Sequence, residues 1–370
     1  MVQDLLYSPF IIDGAPKKLT PAQMLRECTA HPPLEKEGDF ETIADERRDP
    51  APGGAVLSEK TVEKYAKALD GFHRGMPLPF AGSFTASKVA RALLDTIWYC
   101  GHFRLPDLSL KAAWKWQYKD MGEAAAFYES VESACNYIDA LGIGLETYSV
   151  TAGAPSVSFK ANALEQMEMD EEEELFSERP SGGEKTHLGR RRKALSSFVT
   201  EPSDWILYIP FDSCDFRLGG SALAEVTGAR AAAAAEVGDA DCFMDCFEVV
   251  RELVEDGIVK AGATVGEGGL MTALRSLSSA GTGADVSISE ILRSYGESSP
   301  LRVLFGEVPG VVIQIADIDY DYVDAEFILQ DVVYFPLGHP VPGSPKVKVS
   351  DRVEIPQILE SLLNTLEGED

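Results

Sequence analysis

Residues 216–226 read FRLGGSALAEV, a glycine pair followed at once by Ser221 and a run of helix formers. Just before them, residues 205–211 read WILYIPF, an apolar run of strand length. Together they predict a buried strand, a glycine turn and a helix. Backbone N–H groups at a helix start can take an anion, and glycines let a ligand come close to the chain. No Lys-Ser or Lys-Thr pair follows, however, and no second spaced glycine is present, so neither phosphate-loop fingerprint is met. Local chemistry favours a packed turn over a ligand loop.

The same device recurs outward from this stretch. Residues 239–257, DADCFMDCFEVVRELVEDG, place Phe243, Phe247, Val250 and Val254 on one helical face and stop at Gly257. Residues 266–281, GEGGLMTALRSLSSAG, repeat glycine-to-helix, residues 309–319, PGVVIQIADID, read as an apolar strand, and residues 354–367 read as a closing helix. Strands alternating with helices predict a mixed sheet covered by helices. Upstream, Val89, Ala92, Leu93, Ile97 and Trp98 share a helical face, as do Phe127, Val131, Cys135 and Ile138 in a helix ending at Gly142. Residues 1–58 are rich in Pro, Gly and charge and read as an arm or linker with one short helix at 20–28. Residues 165–193 are acidic, then basic. Such a block buries little apolar surface, so a disordered, trypsin-sensitive insertion cut first at 190–193 is expected, with a docking loop as the alternative.

Composition narrows the function. A formal charge of −27 repels phosphate backbones and argues against nucleic-acid binding. No apolar run approaches about 18 residues and the N-terminus lacks a secretory pattern, so an intracellular, cytoplasmic protein without a membrane span is expected. The six cysteines are scattered. The only close pair, Cys242 and Cys246, has helical rather than zinc-knuckle spacing, so the thiols read as reduced core residues. Of the five histidines, His31, His73 and His187 sit in polar or Pro-rich stretches, His339 in a loop, and His102 has no recognisable nucleophile–acid set beside it.

In order, RLGGSALAEV, GEGGLMTALRSLSSAG, LFGEVPGVVIQI and LGHPV resemble the carboxy-terminal lobe of a synthetase half of phosphoribosylformylglycinamidine synthase. LKAAWKW, GEAAAFYESVESACNYIDALGI and GAPSVSFK resemble the preceding lobe. The likeness is collinear from about residue 75 and best fits the second synthetase half of the large single-chain form. It implies an α+β, AIR synthase-like two-lobe fold: an amino-terminal sheet or half-barrel lobe with helices (59–200) and a carboxy-terminal mixed α/β sandwich (201–370). It also implies that Gly219 and Gly220 mainly pack the helix on the sheet. The amino-terminal lobe is expected to pair with a second copy or a protein partner, with VSFKA (157–161) beside ALSSFVT (194–200), because open sheet edges leave N–H and C=O groups unsatisfied.

In that family ATP activates an amide oxygen and ammonia from a glutaminase displaces it, which calls for carboxylates and an Asn on magnesium and a cation on the phosphoryl group. The chain departs from this set. Where the family has Glu-Ala-Leu-Thr-Asn it has Arg91 to Asp95. Ala113 stands for the Asn before Trp, and Ala154 and Pro155 stand for Lys-Asp. Ala263 stands in the His-Asp pair, and Glu267 replaces Asp in the glycine turn. Glu267 and Glu307 retain acidity, while Gly268 and Gly269 offer amides to a weakly held phosphate. No metal ligands and no glutaminase set are recognisable. The resemblance therefore implies a degenerate site with no catalytic residue and no cofactor, in a binding or structural subunit. The alternative is an auxiliary half that holds ATP or ADP and Mg while another chain supplies catalysis and ammonia.

Overall fold

The computed structural model describes residues 2–30, 59–72, 74–101, 103–117, 120–163, 191–228, 233–279 and 281–351. The expected closing helix, most of the acidic-to-basic insertion and four of the histidines (His31, His73, His102 and His187) lie outside them.

The amino-terminal segment forms α1 (Val2–Tyr7), a small ribbon of β1 (Ile11–Ile12) and β2 (Ala15–Pro16), and α2 (Pro21–Ala30). It is no free arm. Leu5, Phe10, Met24 and Leu25 are buried, Tyr128 donates to the Leu19 carbonyl at 3.1 Å and Lys17 pairs with Glu132 at 2.9 Å. Next comes α3 (Glu59–Ala68), expected at the head of the amino-terminal lobe. It packs on the carboxy-terminal lobe instead: Val62 and Ala66 enter that core, and Tyr65 lies 6.3 Å from the Phe305 ring. The apolar stripe at 62, 65, 66 and 69 finds its partners there.

The amino-terminal lobe comprises α4 (Ala81–Leu94), β3 (Leu108–Lys115), α5 (Met121–Ala140), β4 (Gly144–Thr151) and β5 (Ser156–Ala163), with strand order β4-β3-β5. β4 runs parallel and β5 antiparallel to β3. Asp120 caps α5 by accepting the Glu123 amide. The expected faces of α4 and α5 cover Leu108, Leu110, Ala112 and Trp114. The other sheet face carries Lys111, Ala113, Ser149, Ser158 and Lys160 and tolerates water.

Residues 194–200 do not run beside β5. The Leu195 amide donates to the Lys260 carbonyl, and that of Phe198 to the Leu277 carbonyl. Ala194 and Phe198 are buried while Leu195 and Ser196 between them are exposed, so the segment lacks the alternation of a half-buried strand. Arg192, within the segment expected to be cut first by trypsin, stacks over Trp98 and donates to the Gly262 carbonyl.

The carboxy-terminal lobe comprises β6 (Trp205–Pro210), α6 (Ala222–Thr227), α7 (Ala240–Glu255), β7 (Val259–Val265), α8 (Gly269–Leu277), β8 (Thr282–Ser287), α9 (Ser289–Ser294), α10 (Pro300–Phe305), β9 (Gly310–Ile315), α11 (Tyr320–Leu329), β10 (Phe335–Pro342) and β11 (Val347–Ser350). Its mixed six-stranded sheet has the order β11-β8-β10-β6-β9-β7. Leu207, Ile209 and Ile313 face α7 and α11, whereas Ile206, Tyr208 and Val312 face α8 and α10. Both faces are covered, which is why β6 and β9 read as continuous apolar runs. The lobes share a core. Trp98 lies flat on Gly262, where a Cβ would meet the indole at 2.2 Å, and Arg251 donates to the carbonyls of Ile97 and Gly101.

Candidate functional site

The opening glycine turn is packed from behind. Gly219 donates its amide to the Ala233 carbonyl at 2.8 Å, and a Cβ there would stand 2.2 Å from that oxygen. Gly220 has φ +67, a conformation glycine adopts without strain. Ser221 caps α6 by accepting the Ala224 amide at 3.2 Å. The amide left at the helix start, that of Ala222, donates at 2.8 Å to Oε1 of Glu307. An anion does sit on the turn, and the chain supplies it.

Glu307 is the hub of the site. Oε1 also accepts the Gly268 amide at 2.8 Å, while Oε2 accepts from Arg74 at 2.8 Å and from Arg91 at 3.3 Å. The carboxylate is 7% exposed and Arg74 2%. Glu307 itself has φ 57, left-handed backbone that a non-glycine residue adopts at a cost. Arg74 further donates to the Gly220 carbonyl and stacks over Phe84 at 4.5 Å. Its Nε and that of Arg91 are buried without partners.

Helix α4 supplies the opposing wall. Phe84, Lys88, Arg91 and Asp95 recur at helical spacing, so one face presents all four to the carboxy-terminal lobe. Lys88 pairs with Glu267 at 2.5 Å. Burial pushes the Glu267 carboxyl up, yet Lys88, Arg74 and Arg91 together outweigh it and leave it below the usual value. Burial lowers the pKa of the Arg91 guanidinium, an effect that Glu307 and Glu267 oppose. Asp95, at the end of α4, keeps solvent access; the protein packed around it raises its carboxyl against the pull of the Thr264 hydroxyl, Arg91 and Arg192. Three cations, Arg74, Lys88 and Arg91, thus stand among three carboxylates, Asp95, Glu267 and Glu307.

The structure brings Arg91, Asp95, Glu267, Gly268 and Glu307 together, with Ala263 one residue from Thr264 on β7. Ala113 lies on the polar face of the amino-terminal sheet, and Ala154 and Pro155 lie in the turn between β4 and β5. The Gly268 amide, expected to be open to phosphate, is spent on Glu307, and that of Gly269 donates to the Gly266 carbonyl at 3.0 Å. Sequence reasoning missed Arg74 and Lys88. Lys88 shares the helical phase of Arg91 and was there to be found; Arg74 sits in a Pro/Gly-rich stretch that gives no signal. The cleft beside Arg74, lined also by Ser83, Ser87 and Ser221, encloses about 20 Å³, room for a water rather than a triphosphate. Among the described residues no group of three or more His, Cys, Asp or Glu is placed to hold a metal. His339 donates its Nδ1–H to the Asp204 carbonyl at 2.9 Å and its ring packs 4.3 Å from that of Trp205, a packing role.

Residues 201–325 match the AIR synthase related protein, C-terminal domain. The phosphoribosylformylglycinamidine synthase of Drosophila melanogaster is 24% identical over 273 residues, 68% of this chain and 18% of that protein. The Homo sapiens protein of the same name is 24% identical over 280 residues, 71% of this chain and 19% of that one. The chain therefore spans about a fifth of the length of these relatives. Among solved structures, Thermotoga maritima PurL complexed with FGAR superposes with a TM-score of 0.54 at 15% identity, over 74% of this chain and 42% of that one, a likeness of fold.

Proposed function

We propose that this chain, which matches the AIR synthase related C-terminal domain over residues 201–325 and is similar to phosphoribosylformylglycinamidine synthase, is a catalytically degenerate relative acting as a binding or structural subunit. The observation that carries this reading is the saturation of Glu307. Its two oxygens take two amides and two guanidiniums from both lobes, so the carboxylate and the helix-start amide are spent on each other. A magnesium triphosphate needs free oxygen ligands for the metal and a free cation for the transferring phosphoryl group. Here Arg74, Lys88 and Arg91 are already paired. Each lost oriented contact is worth about 2.7–4 kcal/mol in catalysis, so losing several removes on the order of a million-fold in rate. The amino-terminal sheet, whose β4 and β5 edges take no further strand among the described residues, is where we place association with a second copy or a protein partner.

A second reading, an auxiliary half of an ATP-dependent phosphoribosylformylglycinamidine synthase in purine biosynthesis, is favoured by the names of the relatives. Titration calorimetry with magnesium-ATP, followed by a phosphate-release assay, separates the two. We expect neither micromolar binding nor turnover. Micromolar, magnesium-dependent heat that disappears in Glu267→Gln overturns the degenerate reading in favour of the second.

A further inference from the structure

Among the described residues, the carboxy-terminal lobe leaves a set of apolar side chains exposed around α11. Of the ten large hydrophobic side chains exposed among the described residues, five fall between positions 318 and 333: Ile318, Tyr322, Ile328, Leu329 and Val333. Ile318 is 89%, Leu329 75% and Ile328 68% exposed. Single exposed hydrophobics are ordinary; here Ile318, Tyr322 and Leu329 recur at spacings of four and seven, which brings them to one side of the helical segment. Helix α11 organises it: Val323 and Phe327 are buried against the lobe, while Tyr322 and Leu329, seven residues apart, lie on the opposite side of the helix.

The surroundings state what would cover it. Residues 317–333 contain Asp317, Asp319, Asp321, Asp324, Glu326 and Asp331 and no Lys, Arg or His. The end of α7, which packs against α11, adds Glu252 and Asp256, and these carboxylates, after Glu326, push the Tyr322 hydroxyl above its ordinary range. Asp317 and Asp324 are used within the lobe, accepting from Trp205 at 2.8 Å and Tyr334 at 2.5 Å; the remaining carboxylates ring the apolar stripe. A second copy would bring the same acidic ring against this one, and the chain as a whole carries −27, so self-association here is opposed. An anionic lipid surface is opposed for the same reason.

We propose that the face formed by Ile318, Tyr322 and Leu329 docks a basic amphipathic helix of a partner protein, its apolar stripe on Tyr322 and Leu329 and its Lys or Arg residues against the neighbouring carboxylates. This is the helix-on-apolar-face mode of recognition, with charge setting specificity and on-rate. It stands whether or not the nucleotide reading holds, because no residue of the patch belongs to the Glu307 cluster.

The test uses the full chain and a fluorescein-labelled 18-residue Leu/Lys amphipathic helix, with a Leu/Glu helix of the same pattern as control, both followed by fluorescence anisotropy. Binding of the Leu/Lys helix is expected to weaken at least about tenfold in Leu329→Asp and in Tyr322→Ala, and to lose part of its salt dependence in Glu326→Gln. Tyr322 and Leu329 are exposed and Glu326 is half-buried, and circular dichroism of each variant checks that the fold is kept. Equal binding of the Leu/Glu helix, or unchanged affinity in both apolar variants, overturns the proposal. So does a dimer in sedimentation velocity that Leu329→Asp dissociates, since the face would then be covered by a second copy.

Discussion

Replacing Glu307 by Ala removes one acceptor group and strands four donors: the amides of Ala222 and Gly268 and the guanidiniums of Arg74 and Arg91. Breaking a buried ion pair from one side costs about 3–5 kcal/mol. Each buried amide left without a partner adds about 1–3 kcal/mol, from which water entering the vacated space recovers part. We expect Glu307→Ala to lose about 4 kcal/mol or more. Glu307→Gly deletes the same carboxylate but relieves the left-handed backbone at φ 57, so it is expected to be milder than Ala by about 1 kcal/mol. In a helix interior the order would be the reverse. Glu307→Gln keeps an acceptor for the two amides yet turns an NH₂ or a neutral oxygen toward two guanidiniums, and it belongs between Gly and wild type. Urea unfolding at neutral pH, followed by tryptophan fluorescence, reads all three, because Trp98 is buried at the lobe contact and Trp114 and Trp116 within the amino-terminal lobe. A Glu307→Ala loss under about 1 kcal/mol, or Ala more stable than Gly, would refute the claim that the carboxylate is the internal ligand of the glycine turns.

The same packing leads to three shorter expectations. Gly219→Ala sets a Cβ against the Ala233 carbonyl and is expected to cost at least about 1–3 kcal/mol, as overpacking does, with phosphate binding unchanged; a neutral result in urea unfolding would reopen the turn as a ligand loop. Leu25→Ala, at a buried position of α2 in the core shared with α5, is expected to lose about 2–5 kcal/mol, and a loss near zero in the same assay would mean that the amino-terminal segment is dispensable. Glu267 has a folded-state pKa below its ordinary 4.5; its stabilising contribution is complete above that value and fades as pH falls through the folded value. Unfolding midpoints of wild type and Glu267→Gln should therefore converge below pH 4.5 and separate above it, and parallel profiles would contradict the sign.

The carboxy-terminal lobe was legible because its signals are local. A strand buried on both faces must be apolar throughout, as WILYIPF and GVVIQI are, and a helix that follows a glycine turn needs an N-cap, which Ser221 supplies. The face of α5 followed from period, and that of α4 in part: the helix stops at Leu94, so Ile97 and Trp98, expected on its face, lie in the turn beyond it. What failed was long-range: ALSSFVT has strand-like composition but buries Ala194 and Phe198, four apart, on the other lobe, and α3 joins the carboxy-terminal core across more than 130 residues of chain, a choice that no window of sequence contains.

The site divides in the same way. Arg91, Asp95, Glu267 and Glu307 were found because each stands at a motif position, but their meaning depends on pairings that sequence does not encode. A list of lost ligands describes an empty site. The structure describes a filled one: Lys88 on Glu267, and Arg74 with Arg91 on Glu307. These differ energetically, since buried charges left unpaired would cost several kcal/mol each, whereas paired across the lobes they tie α4 to the turns at Gly220 and Gly268. Replacing Arg91 by Met should then be nearly neutral for stability, because Arg74 still neutralises Glu307 and a flexible apolar side chain fills the space of a guanidinium that already lacks one partner. Arg74→Met, by contrast, breaks the shorter ion pair and frees the Gly220 carbonyl, and it should cost about 3 kcal/mol or more. Equal costs for the two in urea unfolding would mean that the guanidiniums share the carboxylate evenly and that the 2.8 Å and 3.3 Å contacts do not rank them.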